Sequence, residues 1–212
     1  MNQKQIFTEY WSVLDDFEDY MNDRFRIERS DIPEFKLKTN HNVPSSPSLC
    51  SVCAHHDLSG HRSPVFGTGN KVLIINRALP KILSQQNKHF TPEEADSITK
   101  WLEAISLDLE NDCKIIPMVF CPVKDPSNPG REALANCFPF INRIISETEP
   151  RAILILGKEG ALMFGDKLGK GALYKNIPVF VSFHPSDVLI NHSLKRPVWE
   201  VLKSLKDVVV GV

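Results

Sequence analysis

The chain contains 212 residues, of which 42% are hydrophobic, and it carries a formal net charge of -1. This length and composition suffice for one main domain with a buried core and a terminal extension, and they leave little room for two full domains. The charge excludes a strongly basic chain, so contact with nucleic acid would need a local basic patch.

Several features of the sequence bear on its compartment. No apolar run approaches the ~18 residues that a membrane span needs, and Met1–Gln5 lacks the start of a secretion signal. The five cysteines are an odd number, which argues against a secreted disulfide scaffold. We therefore expect a reduced, cytoplasmic protein that does not contact a membrane.

The first 48 residues are predicted to form a helix and a linker. From Gln5 to Glu28, apolar residues recur at steps of three and four, the period of an amphipathic helix. We expect its apolar stripe to pack on the protein's own domain rather than on a partner. The segment Ile32–Leu49 is rich in Pro, Ser and Asn and is predicted to be an extended linker. Residues 49–212 then form the main domain.

The main domain alternates between short apolar runs and helical patterns. Continuous apolar runs are typical of strands that are buried on both faces of a parallel sheet. They predict strands at Lys71–Asn76, Lys114–Phe120, Ala152–Leu156 and Ile177–Phe183, and helices at Pro92–Leu109, Arg131–Thr148, Lys158–Phe164 and Arg196–Val208. This order predicts an α/β fold, a three-layer α/β/α sandwich around a roughly four-stranded parallel sheet. Ligands should bind at the carboxyl ends of these strands.

Four cysteines, Cys50, Cys53, Cys121 and Cys137, are spaced as C-x2-C and, after a long gap, C-x15-C. This spacing predicts a site of four thiolates that holds a metal ion or an iron–sulfur cluster. A redox dithiol is less favoured, because Cys50 follows a Pro/Ser linker instead of opening a helix after a strand. Zinc is an alternative in which His55, His56 or His61 could be a ligand. Cys113 fits a small buried hydrophobe.

Further strings accompany the cysteines along the chain. They are Arg62–Asn70 (RSPVFGTGN), Cys137–Phe140 (CFPF), Pro150–Gly157 (PRAILILG), Phe183–Ser186 (FHPS) and Leu194–Trp199 (LKRPVW). From about Leu49 to Leu205 this pattern resembles the iron–sulfur uracil-DNA glycosylases of bacteria and archaea. The resemblance implies that the four cysteines ligate a structural [4Fe-4S] cluster, which pins the segment after the linker onto the Cys121–Cys137 loop.

The resemblance also implies a function and candidate site residues. The family hydrolyses the N-glycosidic bond of uracil in DNA, which is a step of base-excision repair, and its partner is DNA with a deaminated, flipped base. By resemblance His184 faces the uracil carbonyl and Phe90 stacks on the base. A lone histidine is more often structural, and a phenylalanine before a helix is often a hydrophobic staple.

Two positions depart from the family's pattern. Arg77 stands where the family has the glutamate that handles water, and a guanidinium cannot act as a base at neutral pH. Ile116 replaces the asparagine that reads uracil, and it offers the base no donor or acceptor. Asn76 and Asn128 are the candidates to replace that amide.

The segment after His184 is the predicted DNA contact. Val188–His192 resembles the loop that wedges the duplex, with Leu189 as the wedge, and Lys195, Arg196 and Lys203 could meet phosphates. The alternative for these charges is the solvated face of the last helix.

Two rival functions follow from the departures. One is a non-catalytic DNA- or protein-binding module that kept the fold and the cluster. The other is an altered hydrolase that acts on a different base, with His184 as its principal polar group and Arg77 bound to a phosphate.

Overall fold

The computed structural model describes residues 46–53, 55–56, 62–157, 159–160, 164 and 173–211. The predicted N-terminal helix lies outside the described residues, as does most of the helix predicted at Lys158–Phe164. None of the helices among the described residues combines the length and apolar composition that crossing a membrane requires.

The described residues form a mixed α/β fold around one sheet. Its strands are β1 (Val72–Asn76), β2 (Cys113–Pro117), β3 (Ala152–Leu156), β4 (Leu173–Tyr174) and β5 (Ile177–Ser182). The helices are α1 (Lys81–Gln85), α2 (Pro92–Glu103), α3 (Arg131–Thr148), α4 (Pro185–Ile190) and α5 (Lys195–Val209), with a short 3-10 turn at Pro47–Leu49.

The strand order is β2-β1-β3-β5-β4. The four predicted strands pair in parallel, and β4 adds an antiparallel edge to β5 that the sequence did not predict. β1 and β3 are buried along their whole length, because both of their faces are covered. The prediction of an α/β fold with a parallel sheet is therefore confirmed, with a short fifth strand added.

The two faces of the sheet are covered by different helices. Alternate residues such as Ile74, Ile115 and Leu154 share a core with side chains of α2 and α5, among them Leu102 and Leu205. On the opposite face, α3 contacts the sheet through Lys114 and Thr148, whose side chains lie 3.4 Å apart, and through Asn142 and Tyr174, which lie 2.7 Å apart. These contacts give the three-layer arrangement.

Helix α2 ends six residues earlier than its apolar pattern predicts. Ser106 has a φ of 63°, in the left-handed region, and the N–H groups of Ile105 and Leu107 both donate to the carbonyl of Leu102. A left-handed residue closes the last turn and reverses the chain. Ile105 and Leu107 are still buried, so the apolar pattern continued after the helix stopped.

Candidate functional site

The candidate site lies where the strand order reverses. β1 has β2 on one side and β3 on the other, so the connections that leave β1 and β3 diverge at their carboxyl ends. In open parallel sheets, ligands bind in the crevice at such a point. Asn76 ends β1, Glu159 follows β3, and His184 precedes α4 after β5.

His184 is held by the first turn of α4. It is the N-cap residue, and its Nδ1 accepts a hydrogen bond from the backbone N–H of Ser186 at 3.1 Å and lies 2.7 Å from Ser186 Oγ. Because Nδ1 accepts, the ring hydrogen is assigned to Nε2, which donates to Asn76 Oδ1 at 3.0 Å. The side chain is therefore fixed as a donor at the end of the sheet.

His184 is also neutral. Burial and, to a smaller extent, the nearby charge of Arg77 together lower its pKa to about 3. Glu94 Oε1 lies 4.0 Å from Nδ1, but a neutral ring forms no ion pair with it. The ring thus offers a hydrogen bond at physiological pH without releasing or gaining a proton.

Asn76 lies beside His184, as the sequence allowed. Its side chain is fully buried, its Oδ1 also accepts from the backbone N–H of Arg77 at 2.9 Å, and its Nδ2 donates to the carbonyl of His89 at 2.9 Å. Asn128 is exposed in the loop before α3, where its backbone N–H donates to the carbonyl of Asp125 at 3.2 Å. Of the two candidate amides, the structure brings Asn76 to His184.

Arg77 is surrounded by negative charge. Its Nη2 donates to Asp187 Oδ2 at 2.6 Å, its Nη1 donates to Asp187 Oδ1 and to Ser186 Oγ at 3.0 Å each, and its Nε donates to Glu159 Oε2 at 3.2 Å. Burial alone would lower the pKa of Arg77, but the bonds and charges of Asp187 and Glu159 outweigh it and raise the pKa. The guanidinium is engaged within the protein, so the suggestion that it binds a phosphate is not supported.

Gly157 makes room for this ion pair. It follows β3 with a φ of 90°, and a Cβ on it would lie 2.5 Å from Glu159 Oε2 and 2.9 Å from Arg77 Nε. A residue without a side chain is required here for both the turn and the approach of the two charges.

Phe90 and His89 flank the site from the start of α2. The Phe90 ring lies 6.1 Å from the His184 ring, tilted by 32°, and packs in the core of α2 and α5. It precedes the N-cap Thr91, the position of a hydrophobic staple. His89 Nε2 lies 2.8 Å from the carbonyl of Pro64, and burial lowers the pKa of His89 to about 4. Phe90 thus both packs the core and neighbours His184.

Ile116 is an apolar side chain inside β2. It is fully buried and paired in register with Ile75. It therefore presents no hydrogen-bonding group at this end of the sheet, as the sequence indicated.

The predicted wedge loop is largely helical. Pro185–Ile190 form α4, because His184 and Asp187 make a capping box and Pro185 occupies the first helical turn. Ile190, at the end of the helix, is 87% exposed, against 42% for Leu189. Lys195 and Arg196 are exposed at the start of α5. Farther along this helix, Lys203 pairs with Glu200 at 2.6 Å. The most exposed apolar side chain of this surface is therefore Ile190, which the sequence prediction did not select.

The cysteines of the predicted thiolate site are mostly buried. Cys50, Cys121 and Cys137 are buried and Cys53 is half-buried. The thiols of Cys53 and Cys121 are hydrogen-bonded, which lowers the pKa of Cys53 to about 6 and raises that of Cys121, and burial raises the pKa of Cys137 to about 12. Across the part of the chain that the structure describes, no group of three or more His, Cys, Asp or Glu side chains converges on one ion position.

Arg62 forms hydrogen bonds with the backbone at Cys50, the first cysteine of the predicted thiolate site. Its Nη2 donates to the carbonyl of Cys50 at 2.6 Å and its Nε to the carbonyl of Pro47 at 2.9 Å. Its charge also acts to lower the pKa values of Cys121 and Cys137. The four donors are all thiols with a nearby cation, a donor set that suits an iron–sulfur cluster or zinc.

Sequence reasoning missed the two acidic residues of the site, Glu159 and Asp187. Glu159 could have been found, because it comes three residues after the third predicted strand, at the edge where ligands bind. Asp187 follows the histidine by three residues, which is the spacing of a capping box.

The sequence also matches known proteins. The family model described as the Uracil DNA glycosylase superfamily matches residues 64–206. A curated protein named type-4 uracil-DNA glycosylase, from Sulfurisphaera tokodaii, is 22% identical over 156 residues, which is 66% of this chain and 70% of the relative. The family match includes Arg77, Phe90, Glu159 and His184, and begins after Cys50 and Cys53.

Proposed function

This chain belongs to the uracil-DNA glycosylase superfamily, and on that premise we propose that it acts in base-excision DNA repair by hydrolysing the N-glycosidic bond of a deaminated base. The proposal agrees with the name of its relative, a type-4 uracil-DNA glycosylase. DNA is then the partner and an extruded base the substrate.

The neutral, oriented His184 is the observation that carries the proposal. When the N-glycosidic bond breaks, the base leaves with negative charge, and a fixed donor at its carbonyl oxygen stabilises that charge. His184 Nε2 is such a donor, because Nδ1 is occupied by the backbone N–H of Ser186 and the pKa is about 3. An incoming carbonyl oxygen would take the place of Asn76 Oδ1, which accepts this hydrogen at 3.0 Å.

The chemistry we propose differs from the family's usual route at two positions. Arg77 is not a base, and the buried Ile116 cannot read a base edge through hydrogen bonds. An apolar side chain at position 116 does not favour one arrangement of donors and acceptors on the base over another. We therefore expect broader base selection, with hypoxanthine and xanthine accepted beside uracil.

The surface of α4 and α5 is the proposed DNA contact. Ile190 projects from the end of α4, with Leu189 beside it, and Lys195 and Arg196 stand at the start of α5. Apolar side chains wedge base steps apart, and basic side chains bind phosphates. The extruded base would enter beside α4, next to His184.

The proposed cofactor is a [4Fe-4S] cluster held by Cys50, Cys53, Cys121 and Cys137, with zinc as the alternative. Bound there, the cluster would join the segment before β1 to the loop that follows β2, through Cys121, and to α3, through Cys137. Its support is the all-thiol donor set, the contact between Cys53 and Cys121, and the resemblance to iron–sulfur members of the family.

A second candidate function, DNA binding without catalysis, is favoured by a specific observation. Oδ1 and Nδ2 of Asn76 each bond within the protein, the three nitrogens of the Arg77 guanidinium each have a partner, and His184 is 5% exposed. A site whose polar groups satisfy one another needs no ligand.

One assay separates the two functions. Purified protein is incubated with single- and double-stranded oligonucleotides that carry one uracil, hypoxanthine or xanthine, and abasic sites are counted for the wild type and His184→Ala. We expect abasic sites from more than one of these bases and a strong loss in the variant. Retained DNA binding without abasic sites would instead support the binding function.

A further inference from the structure

Hydrolysis of a glycosidic bond needs more than a donor to the leaving group. The sugar becomes cationic in the transition state, and water must be oriented and deprotonated as it attacks, which is the work of a carboxylate. Position 77, at the end of β1, supplies a guanidinium instead. The question is whether another carboxylate reaches the same end of the sheet.

Among the described residues, Asp187 and Glu159 reach this end as partners of Arg77, and Glu94 Oε1 lies 4.0 Å from His184 Nδ1. The two partners of Arg77 differ in how tightly they are held. Both oxygens of Asp187 accept from Arg77, at 2.6 and 3.0 Å, and one also accepts from the backbone N–H of His184 at 3.3 Å. Glu159 accepts from Arg77 at 3.2 and 3.5 Å. Asp187 is committed to the first turn of α4, whereas Glu159 keeps lone pairs for water.

Glu159 is also placed by the backbone. It follows the turn at Gly157, where a φ of 90° redirects the chain from β3 and where a Cβ would collide with Glu159 Oε2 at 2.5 Å. The side chain is 9% exposed, and its ion pair with Arg77 spans the point where the strand order reverses. A charged carboxylate this buried is costly unless it is paired.

The charge balance suits the reaction. The Arg77 guanidinium and its two carboxylate partners leave a net negative charge beside the neutral His184, and the Glu94 side chain lies 4.0 Å from the same ring. A negative site stabilises a sugar cation more than it stabilises the neutral substrate, and this difference is what lowers the barrier.

We propose that Glu159 is the catalytic carboxylate of this chain and that Arg77 is its positioning residue, an inference that rests on the proposed glycosidic hydrolysis. Water bonds to C1′ of the sugar through its oxygen and gives a proton to the Glu159 carboxylate. The bond between C1′ and the base nitrogen breaks, and its electron pair leaves with the base, whose carbonyl oxygen accepts the hydrogen bond of His184 Nε2. Arg77 holds the Glu159 side chain in position through the hydrogen bonds from its Nε and Nη2.

The test compares three variants under single-turnover conditions on the oligonucleotide that the wild type cleaves best. Glu159→Gln should lower the rate of base release at least ~100-fold, the usual loss for a general base, with unchanged DNA affinity. Arg77→Ala should also lower the rate. Glu147→Gln, an exposed acid on α3, should release base at the wild-type rate.

The pH profile distinguishes catalysis from a structural role. The wild-type rate should fall as the pH drops and the carboxylate is protonated, and Glu159→Gln should lack this acidic limb. Glu159→Asp keeps the charge and should retain the limb, so it tests the proposal even where Glu159→Gln lowers stability.

Each other outcome is decisive. Wild-type rates in Glu159→Gln would overturn the role of Glu159 and leave the proposed function standing. A faster Arg77→Ala would show that Arg77 closes the site instead of positioning a carboxylate. No base release by the DNA-bound wild type would overturn the proposed function, and this inference with it.

Discussion

The residue at position 77 decides how charge is distributed around the candidate active site. Its guanidinium joins three residues from two places in the chain: Glu159 after β3, and Ser186 and Asp187 in α4. The negative charge that a glutamate would carry at this position is thus provided by its neighbours. A change at position 77 therefore alters the whole set of contacts as well as one side chain.

Gly157→Ala should separate the Arg77–Glu159 pair. The added Cβ meets both side chains, and the positive φ costs a residue with a side chain about 1–3 kcal/mol of stability. We expect a loss of this size in the free energy of unfolding, measured with urea, together with slower base release.

Gly130→Ala is the matched control. Its φ of 85° imposes a similar backbone cost, but nothing lies within 4 Å of its Cβ position. It should lose stability and keep its rate of base release. Equal rates in both variants would show that the room at Gly157 is irrelevant to the site.

The buried histidines make stability depend on pH. The pKa of His89 is lowered to about 4 and that of His184 to about 3, against 6.5 when exposed. Below pH 6.5 the unfolded chain binds protons that the folded chain does not, so stability falls as the pH is lowered towards these values.

His89→Gln should flatten this dependence. Between pH 6.5 and pH 5, each buried, neutral histidine lowers the free energy of unfolding by about 2 kcal/mol, at about 1.4 kcal/mol per pH unit. The wild type should lose about 2 kcal/mol more than the variant between pH 7 and pH 5 in urea unfolding. Parallel losses in the two proteins would contradict the buried, neutral state of His89.

Single residues of the site were predictable to different degrees. His184 and Asn76 follow or end apolar runs, so the strand-end rule locates them, and the structure joins them at 3.0 Å. The partners of Arg77 were not predicted, because a salt bridge between residues 82 or 110 positions apart leaves no periodic signal in one sequence. From the sequence alone, Arg77 indicated only that the family's water-handling glutamate is missing.

At the scale of elements, α4 connects the site to the proposed DNA surface. The same capping box that fixes His184 starts the helix that ends at the exposed Ile190. If DNA binding displaced α4, the side chain of His184 would therefore move with the helix.

Lys195→Gln should weaken binding to an unmodified duplex through loss of a phosphate contact. The slope of log affinity against log salt should shrink by about 0.9 for one contact, measured by fluorescence anisotropy between low and physiological salt. Ile190→Ala should lower affinity without changing the slope, because it removes an apolar contact.

Lys71→Gln is the control for this surface. Lys71 lies at the amino end of β1, paired with Asp112 at 2.7 Å, and so at the opposite edge of the sheet. It should not change the salt slope. Equal slopes for Lys195→Gln and the wild type would remove Lys195 from the interface.

Helices and strands were predicted correctly where their apolar pattern extends over many residues. The four parallel strands are continuous apolar runs, and α3 was predicted with its observed bounds, Arg131–Thr148. Helix α1 has five residues and β4 has two, too few to show a period. Helix α4 was missed because its start is a capping box, a signal that depends on spacing and not on apolar periodicity.

At the scale of the molecule, the thiolate site would join distant parts of the chain. Cys50 and Cys53 lie before β1, Cys121 follows β2, and Cys137 lies within α3. Because ligation by folded residues stabilises the fold, a cluster there would contribute directly to the free energy of unfolding.

Cys53→Ala should therefore lose the cofactor, whereas Cys113→Ala should keep it. Cys113 is buried in the core inside β2 and serves as the matched control. Anaerobically purified wild type should be brown, absorb near ~400 nm and contain iron, and Cys53→Ala should not. A colourless wild type that contains zinc would replace the iron–sulfur assignment.

Hydrolysis itself is tested by single-turnover base release, with protein in excess over a duplex that carries one hypoxanthine or uracil. Abasic sites should accumulate with the wild type and form at least ~100-fold more slowly with His184→Ala, at equal DNA occupancy. Equal rates for the two proteins, or no abasic sites from fully bound DNA, would contradict glycosidic hydrolysis at the end of this sheet.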